Sequence, residues 1–501
     1  MNLIEVAREN LEKFGEYASL VFEDREYSNV DIQEKGNRLA GGLRKLGLER
    51  GDKVVVSVPN CPEVLVSYSA VLKIGGVVIP VLFVLQADEV RYILENSGAK
   101  AIITSEELAD KIKKAAEGVG TVEHVICMGK KETPGTVWFE RLVEESPADE
   151  GIEEMSEDDL AVILYTSGTT GKPKGVMLTH NNLYMNARGS TASLTMVTKD
   201  TVSLVVLPLA HAYGLTVMIG GFMLGGKGIL VKWFDTEAVF RLIEKYRVEI
   251  MTGVPTMYAY MLNHPGGEKY DLSSMKVWLC AAAPLPMEVY RAFEEKFPGK
   301  IYEGYGLTEA APAVSVHYDT KPIKPGSVGL PIETVRVEIM DEENNVLPRG
   351  EAGEICVSGP VVMKGYYRMP EETAQTIVDG WLHTGDMGKM DEDGYLYVVD
   401  RKKDMIIRGG LNIYPKDVED VLMKHPEVVD AAVVGVKDPL MGEQVKAFVV
   451  RKYKSVVSEE EIISFCQERL AKYKTPKYVE FVSYLPKNVI GKVLKKELRG
   501  R

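Results

Sequence analysis

Residues 160–175 of this chain read LAVILYTSGTTGKPKG. The first five residues are apolar and predict a buried strand, whereas residues 165–175 hold three glycines, four Ser or Thr hydroxyls and two lysines. Glycines let the backbone approach a ligand closely, hydroxyls donate hydrogen bonds, and lysines add positive charge. The segment is not a Walker A loop, because Lys172 is followed by Pro173, where that pattern needs Ser or Thr. A strand that leads into such a loop predicts a phosphate-binding site in an α/β fold.

The chain before this loop alternates between strand-like and helix-like segments. Residues 53–58, 77–80 and 101–104 are strand candidates, and residues 63–72 form a helix candidate between the first two. Strand–helix–strand alternation is typical of a parallel sheet covered by helices. We therefore predict an α/β class for the body of the protein.

The C-terminal hundred residues have a different character. A helix candidate, three strand candidates and a capping box (Ser458 with Glu461) indicate a small α+β unit. This part holds 21 Lys and Arg against 14 Asp and Glu from Arg401 onward, although the whole chain carries a net charge of -13. We predict two domains, residues 1–400 and residues 401–501. The helix candidate covers residues 416–424, and the strand candidates cover residues 431–436, 445–450 and 478–482.

Composition excludes several classes of protein. The chain has 501 residues, of which 45% are hydrophobic and 27% charged, which is unlike a collagen, a coiled coil or a disordered chain. The net negative charge argues against a nucleic-acid partner. Five cysteines lie far apart without a CxxC pair, so we expect no disulfide framework and no structural zinc. These features, and a start without the pattern of a secretory signal, favour a cytoplasmic protein.

The longest uncharged stretch, residues 202–226, raises the question of a membrane span. It contains Pro208, His211 and several glycines, so we expect buried strands and helices instead. We predict no stable insertion into a membrane. Transient contact with a membrane and assembly as a homodimer both stay open.

Further motifs follow the phosphate loop in order along the chain. Each contains residues suited to nucleotide or phosphate chemistry, although each alone is more typical of an ordinary turn or a solvated surface charge. They are YGLTE at 305–309, DGWLHTGD at 379–386, DRKKD at 400–404, GGLNIYP at 409–415 and LPKNVIGKVLKK at 485–496.

Taken together, these motifs resemble those of the adenylate-forming enzymes, which include acyl- and aryl-CoA ligases, luciferase and the adenylation domains of peptide synthetases. The resemblance spans residue 160 to the C-terminus, and the segment from Asp379 to Lys403 is most similar to fatty acyl-CoA ligases. It implies a large N-terminal adenylate-forming domain of layered α/β sheets and a small mobile α+β C-terminal domain. It also implies ATP, Mg²⁺ and CoA as the cofactors.

The resemblance assigns a nucleotide site. Tyr305 would stack on adenine, Thr308 would bind the α-phosphate, and Glu309 would hold the metal ion. Asp386 would bind the ribose hydroxyls, and Arg401 would contact the nucleotide. The phosphate loop would contribute Thr166, Ser167, Gly168, Thr169, Thr170, Gly171, Lys172 and Lys174.

The resemblance also assigns roles in the C-terminal domain. Lys492 would be the lysine that catalyses adenylation, Lys403 the hinge, and Gly409 and Gly410 part of the tunnel for the pantetheine arm of CoA. The hydroxyl residue that the family usually has two positions after Pro486 is Asn488 here, which leaves the hydrogen bonding of this loop open.

The acyl pocket is the least specific part of the resemblance. His211 would lie near the carboxylate and the thiol, as a catalytic residue and as part of the pocket. The remaining pocket residues would be Tyr213, Val254, Ala281, Ala282 and Ala283. Small residues and the absence of a basic side chain in these segments favour an apolar tail over a dicarboxylate. We expect a medium- or long-chain fatty acid, with an aryl or cyclic carboxylic acid as the alternative.

The predicted reaction joins a small carboxylic acid to CoA in two steps. The carboxylate attacks the α-phosphorus of ATP and releases pyrophosphate, and the CoA thiol then displaces AMP from the acyl-adenylate. Two other interpretations stay open: an adenylating enzyme that loads a carrier protein instead of free CoA, and a non-catalytic binder of acyl nucleotides.

Overall fold

The computed structural model describes residues 2–149, 155–166, 172–487 and 493–499. Its helices are α1 (Leu3–Phe14), α2 (Asn29–Lys45), α3 (Pro62–Lys73), α4 (Ala87–Ser97), α5 (Ala109–Ala116), α6 (Phe139–Glu145), α7 (His180–Ala192), α8 (Ala212–Leu224), α9 (Thr236–Tyr246), α10 (Pro255–Asn263), α11 (Met287–Lys296), α12 (Pro370–Thr376), α13 (Pro415–Leu422), α14 (Glu459–Gln467) and α15 (Lys495–Leu498), with short 3₁₀ turns at Gly267–Lys269, Thr308–Ala310 and Lys402–Asp404.

The strands in the same residues are β1 (Ala18–Phe22), β2 (Arg25–Ser28), β3 (Lys53–Ser57), β4 (Val77–Pro80), β5 (Ala101–Ser105), β6 (His124–Met128), β7 (Val137–Trp138), β8 (Leu160–Thr166), β9 (Lys174–Thr179), β10 (Val202–Val205), β11 (Lys227–Leu230), β12 (Ile250–Gly253), β13 (Val277–Cys280), β14 (Lys300–Gly306), β15 (Ala313–Val316), β16 (Leu330–Pro331), β17 (Arg336–Met340), β18 (Gly353–Ser358), β19 (Gly365–Tyr366), β20 (Ile377–Val378), β21 (Trp381–Met390), β22 (Leu396–Arg401), β23 (Ile406–Arg408), β24 (Leu411–Ile413), β25 (Val428–Asp438), β26 (Gly442–Arg451) and β27 (Tyr478–Phe481).

The first layer of the body is a sheet with the strand order β19-β9-β8-β4-β3-β5-β6-β7. Strands β4, β3, β5 and β6 run parallel, as the strand–helix alternation predicted. Strands β8 and β9 form an antiparallel pair whose last register places Thr166 opposite Lys174. The two ends of the predicted phosphate loop are therefore adjacent at one end of the β8–β9 ladder.

The second layer is a larger sheet with the order β16-β15-β14-β13-β12-β10-β11-β1-β2. Its central strands β10, β12, β13 and β14 are parallel, so their carboxyl ends lie along one edge. The segments predicted to form the acyl site follow the carboxyl ends of these strands. Tyr305, which is predicted to stack on adenine, lies within β14 near its carboxyl end. Ligands of open α/β sheets bind at this kind of edge.

Helix α8 packs between the two layers. It contains no charged residue, and a helix that is apolar all round is typical of a protein interior. A Cβ on Gly214 would lie 2.2 Å from the carbonyl oxygen of Pro208, so only glycine allows the helix to begin this close to the preceding loop. In the part of the chain that the structure describes, no helix has the length and apolar character needed to cross a bilayer.

Two small sheets complete the fold. One has the order β17-β18-β21-β20, with β22 paired to β21, and the other has the order β24-β23-β26-β25, with β27 paired to β26. The second sheet and helices α13 and α14 enclose a separate apolar core that includes Ile406, Val418, Val433 and Ile462. The capping box at Ser458 and Glu461 starts α14 as predicted. The predicted α/β class with a small α+β unit is confirmed, and the exact division at residue 401 stays a prediction.

One buried side chain ties helix α7 to the segment that follows Glu309. Asn186 is fully buried, and its Nδ2 donates to the carbonyl oxygens of Ala310 at 2.9 Å and Ala313 at 2.8 Å. Its Oδ1 accepts the Ala313 N–H at 3.2 Å. The amide therefore serves three backbone groups that would otherwise be buried without partners.

We expect Asn186→Ala to lower the free energy of unfolding by about 2–4 kcal/mol, since it leaves buried carbonyl groups without a donor. Asn181→Ala, on the half-exposed face of the same helix, should change stability by about 0.5 kcal/mol or less. Chemical denaturation of both variants checks this. Equal losses would contradict the structural role of Asn186.

Candidate active site

A single cavity of about 1230 Å³ connects the predicted nucleotide and acyl sites. It is lined by both large sheets, by α8 and by the C-terminal residues 493–499. The predicted site residues that line it are Thr166, Lys174, His211, Tyr213, Ala281, Ala282, Tyr305, Thr308, Glu309, Arg401 and Lys403.

Other predicted residues do not line this cavity. Val254, which is buried where α10 begins, and Ala283 are not among the residues that line the cavity. Lys172 also lies outside the wall, with its ammonium 6.0 Å from the ring centre of Tyr92. Gly409 and Gly410 are exposed in the β23–β24 hairpin. Ser167, Gly168, Thr169, Thr170, Gly171, Asn488 and Lys492 lie outside the described residues.

Three residues form a charged and hydrogen-bonded group at the predicted adenine site. The Tyr305 hydroxyl donates to Asp386 Oδ2 at 2.7 Å, and Arg401 Nε lies 3.0 Å from Asp386 Oδ1. Strand pairing explains the second contact, because Asp386 and Arg401 are direct partners in the β21–β22 ladder. Burial, followed by the Asp386 carboxylate, raises the pKa of Tyr305, so its hydroxyl remains a donor. Asp386 itself is buried and does not line the cavity, whereas its two partners Tyr305 and Arg401 do.

Glu309 is held by a residue that the sequence analysis did not identify. The Tyr366 hydroxyl donates to Glu309 Oε1 at 2.9 Å. Burial, then the charge of Glu309, raises the pKa of Tyr366, so this hydroxyl stays protonated. The second carboxylate oxygen has no recorded protein partner among the described residues. No motif around Tyr366 signalled this role.

His211 caps the N-terminus of α8. Its Nδ1 accepts the Tyr213 N–H at 3.2 Å, and burial lowers the pKa of His211 from 6.5 to about 4. The imidazole is therefore neutral at physiological pH. Because Nδ1 is the acceptor, the proton is assigned to Nε2, which makes this nitrogen a donor on the cavity side.

Asn60 fixes the loop that leads to His211, and sequence analysis also missed it. Its Nδ2 donates to the Leu207 carbonyl at 2.9 Å and to the Val231 carbonyl at 3.1 Å. Its Oδ1 accepts the Leu209 N–H at 2.9 Å. The buried amide thus joins the ends of β10 and β11 just before the histidine.

The last residues of the chain contact the predicted hinge. Arg499 donates to the Lys403 carbonyl at 3.0 Å and to Asp404 Oδ1 at 2.6 Å. Asp400, just before the hinge, accepts the backbone N–H of Lys416 at 2.8 Å. Lys495 forms a 2.8 Å ion pair with Glu419. These contacts bring residues 493–499, which directly follow Lys492 and its neighbours, to the cavity mouth.

The opposite end of the cavity is mostly apolar, although Ser19, Gln33 and Ser203 also line it. Its wall comes from α1, α8 and the strands around β11. Lys227 is the charged residue of these elements that lines the cavity, and it is ion-paired with Glu26. The apolar lining residues include Leu3, Ile4, Val6, Leu20, Leu194, Val197, Val205, Leu215, Val217, Met218, Ile219 and Leu224.

Comparison with known families identifies the chain. Residues 7–367 match the model of the AMP-binding enzyme family, and residues 417–492 match the model of the AMP-binding enzyme C-terminal domain. The chain belongs to the AMP-binding enzymes. These are the adenylate-forming enzymes of the predicted resemblance, so that prediction is confirmed.

Curated relatives of this AMP-binding enzyme are CoA ligases. The long-chain-fatty-acid–CoA ligase of Bacillus subtilis is 38% identical over 515 aligned positions, covering 97% of this chain and 92% of the relative. The feruloyl-CoA synthase of an Amycolatopsis species is 40% identical, covering 94% of this chain and 93% of the relative.

Solved structures show the same fold over the whole chain. The anthranilate CoA ligase AuaEII in complex with anthranoyl-AMP has a TM-score of 0.93 at 27% identity, covering 100% of this chain and 97% of that protein. ATP-bound MatB from Rhodopseudomonas palustris has a TM-score of 0.92 at 32% identity, covering 100% of this chain and 99% of that protein.

This AMP-binding enzyme is therefore an AMP-forming acid–thiol ligase that uses ATP and CoA. The prediction of a carboxylate–CoA ligase is confirmed at this level, and the interpretation as a non-catalytic binder is not supported. The relatives act on both fatty and aryl acids by their names, so both predicted acid classes occur within the family.

The buried state of His211 predicts how stability depends on pH. The pKa of His211 is about 4 in the folded protein, whereas a histidine in the unfolded chain has a pKa near 6.5. Between these pH values the unfolded chain therefore binds a proton that the folded protein does not. Stability from this group is present above pH 6.5 and is lost as pH falls toward 4. Between pH 7 and pH 5 we expect His211 to cause a loss of roughly 2 kcal/mol.

The variant His211→Asn keeps an acceptor at the start of α8 and removes the titration. Denaturation at both pH values should show that the variant loses roughly 2 kcal/mol less than the wild type between them. His180 and His317, whose pKa values burial also lowers to about 4, are unchanged in both proteins. An identical pH dependence would show that His211 is accessible to protons.

Proposed function

We propose that the protein is an ATP-dependent ligase for medium- or long-chain fatty acids, which forms an acyl-adenylate and then an acyl-CoA. The observation that carries the acid class is the apolar half of the cavity. Lys227 already has Glu26 as its partner there, so a dicarboxylate would find no unpaired cation among these lining residues. Hydrocarbon is the chemistry that this wall favours.

The size of the cavity supports a long substrate. Its volume of about 1230 Å³ exceeds the roughly 300–1,000 Å³ of ordinary small-molecule pockets. ATP and an extended acyl chain together need such a space. An aryl acid is the second candidate, because the feruloyl-CoA synthase relative is 40% identical to this chain.

Adenylation requires two anions to approach each other. The carboxylate oxygen attacks the α-phosphorus and pyrophosphate leaves, so positioning and neutralisation of charge carry the catalysis. Thr308 and Lys174 line the cavity where they can bind phosphate oxygens. Tyr305 would stack on adenine, and Asp386 would accept from the ribose hydroxyls. Lys492 would bridge the carboxylate and the α-phosphate.

Glu309 fits the role of a magnesium ligand. One of its oxygens accepts from Tyr366 and the other has no recorded protein partner among the described residues. Those residues contain no cluster of three or more His, Cys, Asp or Glu that could hold a metal, which agrees with an ion held by one carboxylate and substrate phosphates. When bound, Mg²⁺ would neutralise phosphate charge.

Thioester formation uses a different part of the C-terminal domain. Gly409 and Gly410 are exposed and do not line the cavity in this arrangement. For their loop to line a pantetheine tunnel, the domain must rotate about Lys403. The CoA thiol then attacks the carbonyl carbon near the neutral His211 and expels AMP.

We expect AMP release with MgATP and CoA to be fastest for one length class of fatty acid. Each added methylene that is buried against the apolar wall makes binding more favourable until the space is filled. The panel runs from acetate through octanoate and palmitate to benzoate, ferulate and 4-coumarate. An optimum on an aryl acid would contradict the fatty-acid proposal. Pyrophosphate exchange without any AMP release to free CoA would indicate a carrier-protein acceptor.

Lys492→Ala should reduce adenylate formation by roughly 100- to 1000-fold, because it removes the cation that joins the two anions. Thioesterification of supplied acyl-adenylate should be spared. Pyrophosphate exchange measures the first step, and acyl-CoA release from the adenylate measures the second. Lys472→Ala, an exposed lysine of the same domain, is the control. Equal loss of both half-reactions would contradict the assignment of Lys492 to adenylation alone.

A further inference from the structure

Two adjacent glycines near the end of α8 have different surroundings. A Cβ on Gly220 would lie 2.9 Å from Cγ2 of Thr191 in α7, so this glycine permits a close contact between helices. A Cβ on Gly221 would meet no atom within 4 Å. Gly221 is exposed and lines the cavity. Packing therefore explains the first glycine and leaves the second unexplained.

A glycine without a packing role in a helix is notable, because glycine destabilises helix interiors relative to alanine. Gly221 has a φ in the ordinary helical range, since it is absent from the residues with positive φ. Neither backbone conformation nor steric contact therefore requires glycine at this position. What the missing side chain provides is open space on the cavity side of α8.

The neighbours of Gly221 continue this open wall. Val217 and Met218 lie one turn earlier on the same face of α8 and also line the cavity. Across from the end of the helix, Gly226 and Gly228 line it as well. A Cβ on Gly228 would have Val205 Cγ2 at 3.5 Å as its nearest neighbour, which is ordinary contact. Around Gly221, the cavity wall thus combines two further glycines with the apolar side chains of Val217 and Met218.

The longest polar side chains at this end have partners. The Gln33 amide donates to the Ala7 carbonyl at 2.8 Å, and Lys227 pairs with Glu26. The helix α1 residues at the cavity are apolar: Leu3, Ile4, Val6 and Ala7. A ligand that reaches this space meets hydrocarbon, so the space suits the terminal methylenes of an alkyl chain rather than a polar group.

We propose that Gly221 is a chain-length determinant, and that the space beside it receives the terminal methylenes of long acyl chains. A side chain at this position would shorten the available channel without displacing any protein atom. This inference rests on the proposed fatty-acid activity and adds to it the position that limits the length of the acid.

The test compares palmitate with octanoate in the variant Gly221→Leu. The ratio of kcat/KM for palmitate to that for octanoate, measured by AMP release, should fall by about tenfold or more relative to the wild type, since several methylenes lose their space. Activity on octanoate should stay close to that of the wild type. Gly221→Ala should lower the same ratio by a smaller factor.

A matched control is available at Gly120. A Cβ there would also meet no atom within 4 Å, its φ is not positive, and it does not line the cavity. Gly120→Leu should leave the ratio unchanged. Thermal melting of all variants establishes that they are folded, and Gly221→Ala should melt no lower than the wild type because alanine favours the helix.

The outcomes separate the two proposals. A folded Gly221→Leu with the wild-type ratio, or with equal losses on both acids, would overturn the role of Gly221 and leave the fatty-acid activity intact. A wild-type protein that released AMP with aryl acids and with neither palmitate nor octanoate would overturn the proposed function itself, and the chain-length role with it.

Discussion

The contact between Asp386 and Arg401 is the interaction on which the arrangement of the site depends. The two residues face each other in the β21–β22 ladder, at the point where the body of the protein continues into the predicted hinge. Asp386 is only 4% exposed, and a buried carboxylate without a partner is strongly unfavourable. Tyr305 supplies the second hydrogen bond from the other sheet. One carboxylate thereby joins the adenine site, the small sheet and the start of the C-terminal domain.

Space for the substrate comes from a helix that is apolar on every face. Helix α8 lies between the two main layers, and the cavity extends along it from His211 to Gly221. Its start is fixed by the close approach of Gly214 to the Pro208 carbonyl and by the Asn60 amide. The His211 end of the cavity is therefore fixed by buried contacts, whereas the wall at the other end includes Gly221, Gly226 and Gly228.

Contacts at the predicted hinge hold the residues near the C-terminus against the cavity. Arg499 bridges Lys403 and Asp404, and the residues just after Lys492 reach the cavity. The Gly409–Gly410 hairpin is exposed at the same time and does not line the cavity. If this hairpin forms a pantetheine tunnel, as proposed, thioester formation requires a second arrangement of the C-terminal domain. Asp404 and Arg499 both lie on the C-terminal side of Lys403, so their ion pair can persist during a rotation about that residue.

The sequence by itself determined the motif order, the parallel α/β body and the α+β unit, because these depend on local composition, periodicity and capping. The phosphate loop, the YGLTE turn and the capping box at Ser458 are short and chemically distinctive.

The partners of the site residues could not be predicted in this way. Asn186 meets Ala310 across 124 positions of chain, and Tyr366 meets Glu309 across 57. Asn and Tyr are common, and nothing beside them indicates a distant partner. Val254 shows the converse, since this residue of a predicted pocket segment does not line the cavity. Likewise, the adjacent glycines Gly220 and Gly221 of α8 look alike in the sequence. Only the packing of α7 and the cavity wall distinguishes Gly220, which makes a contact, from Gly221, which leaves a space.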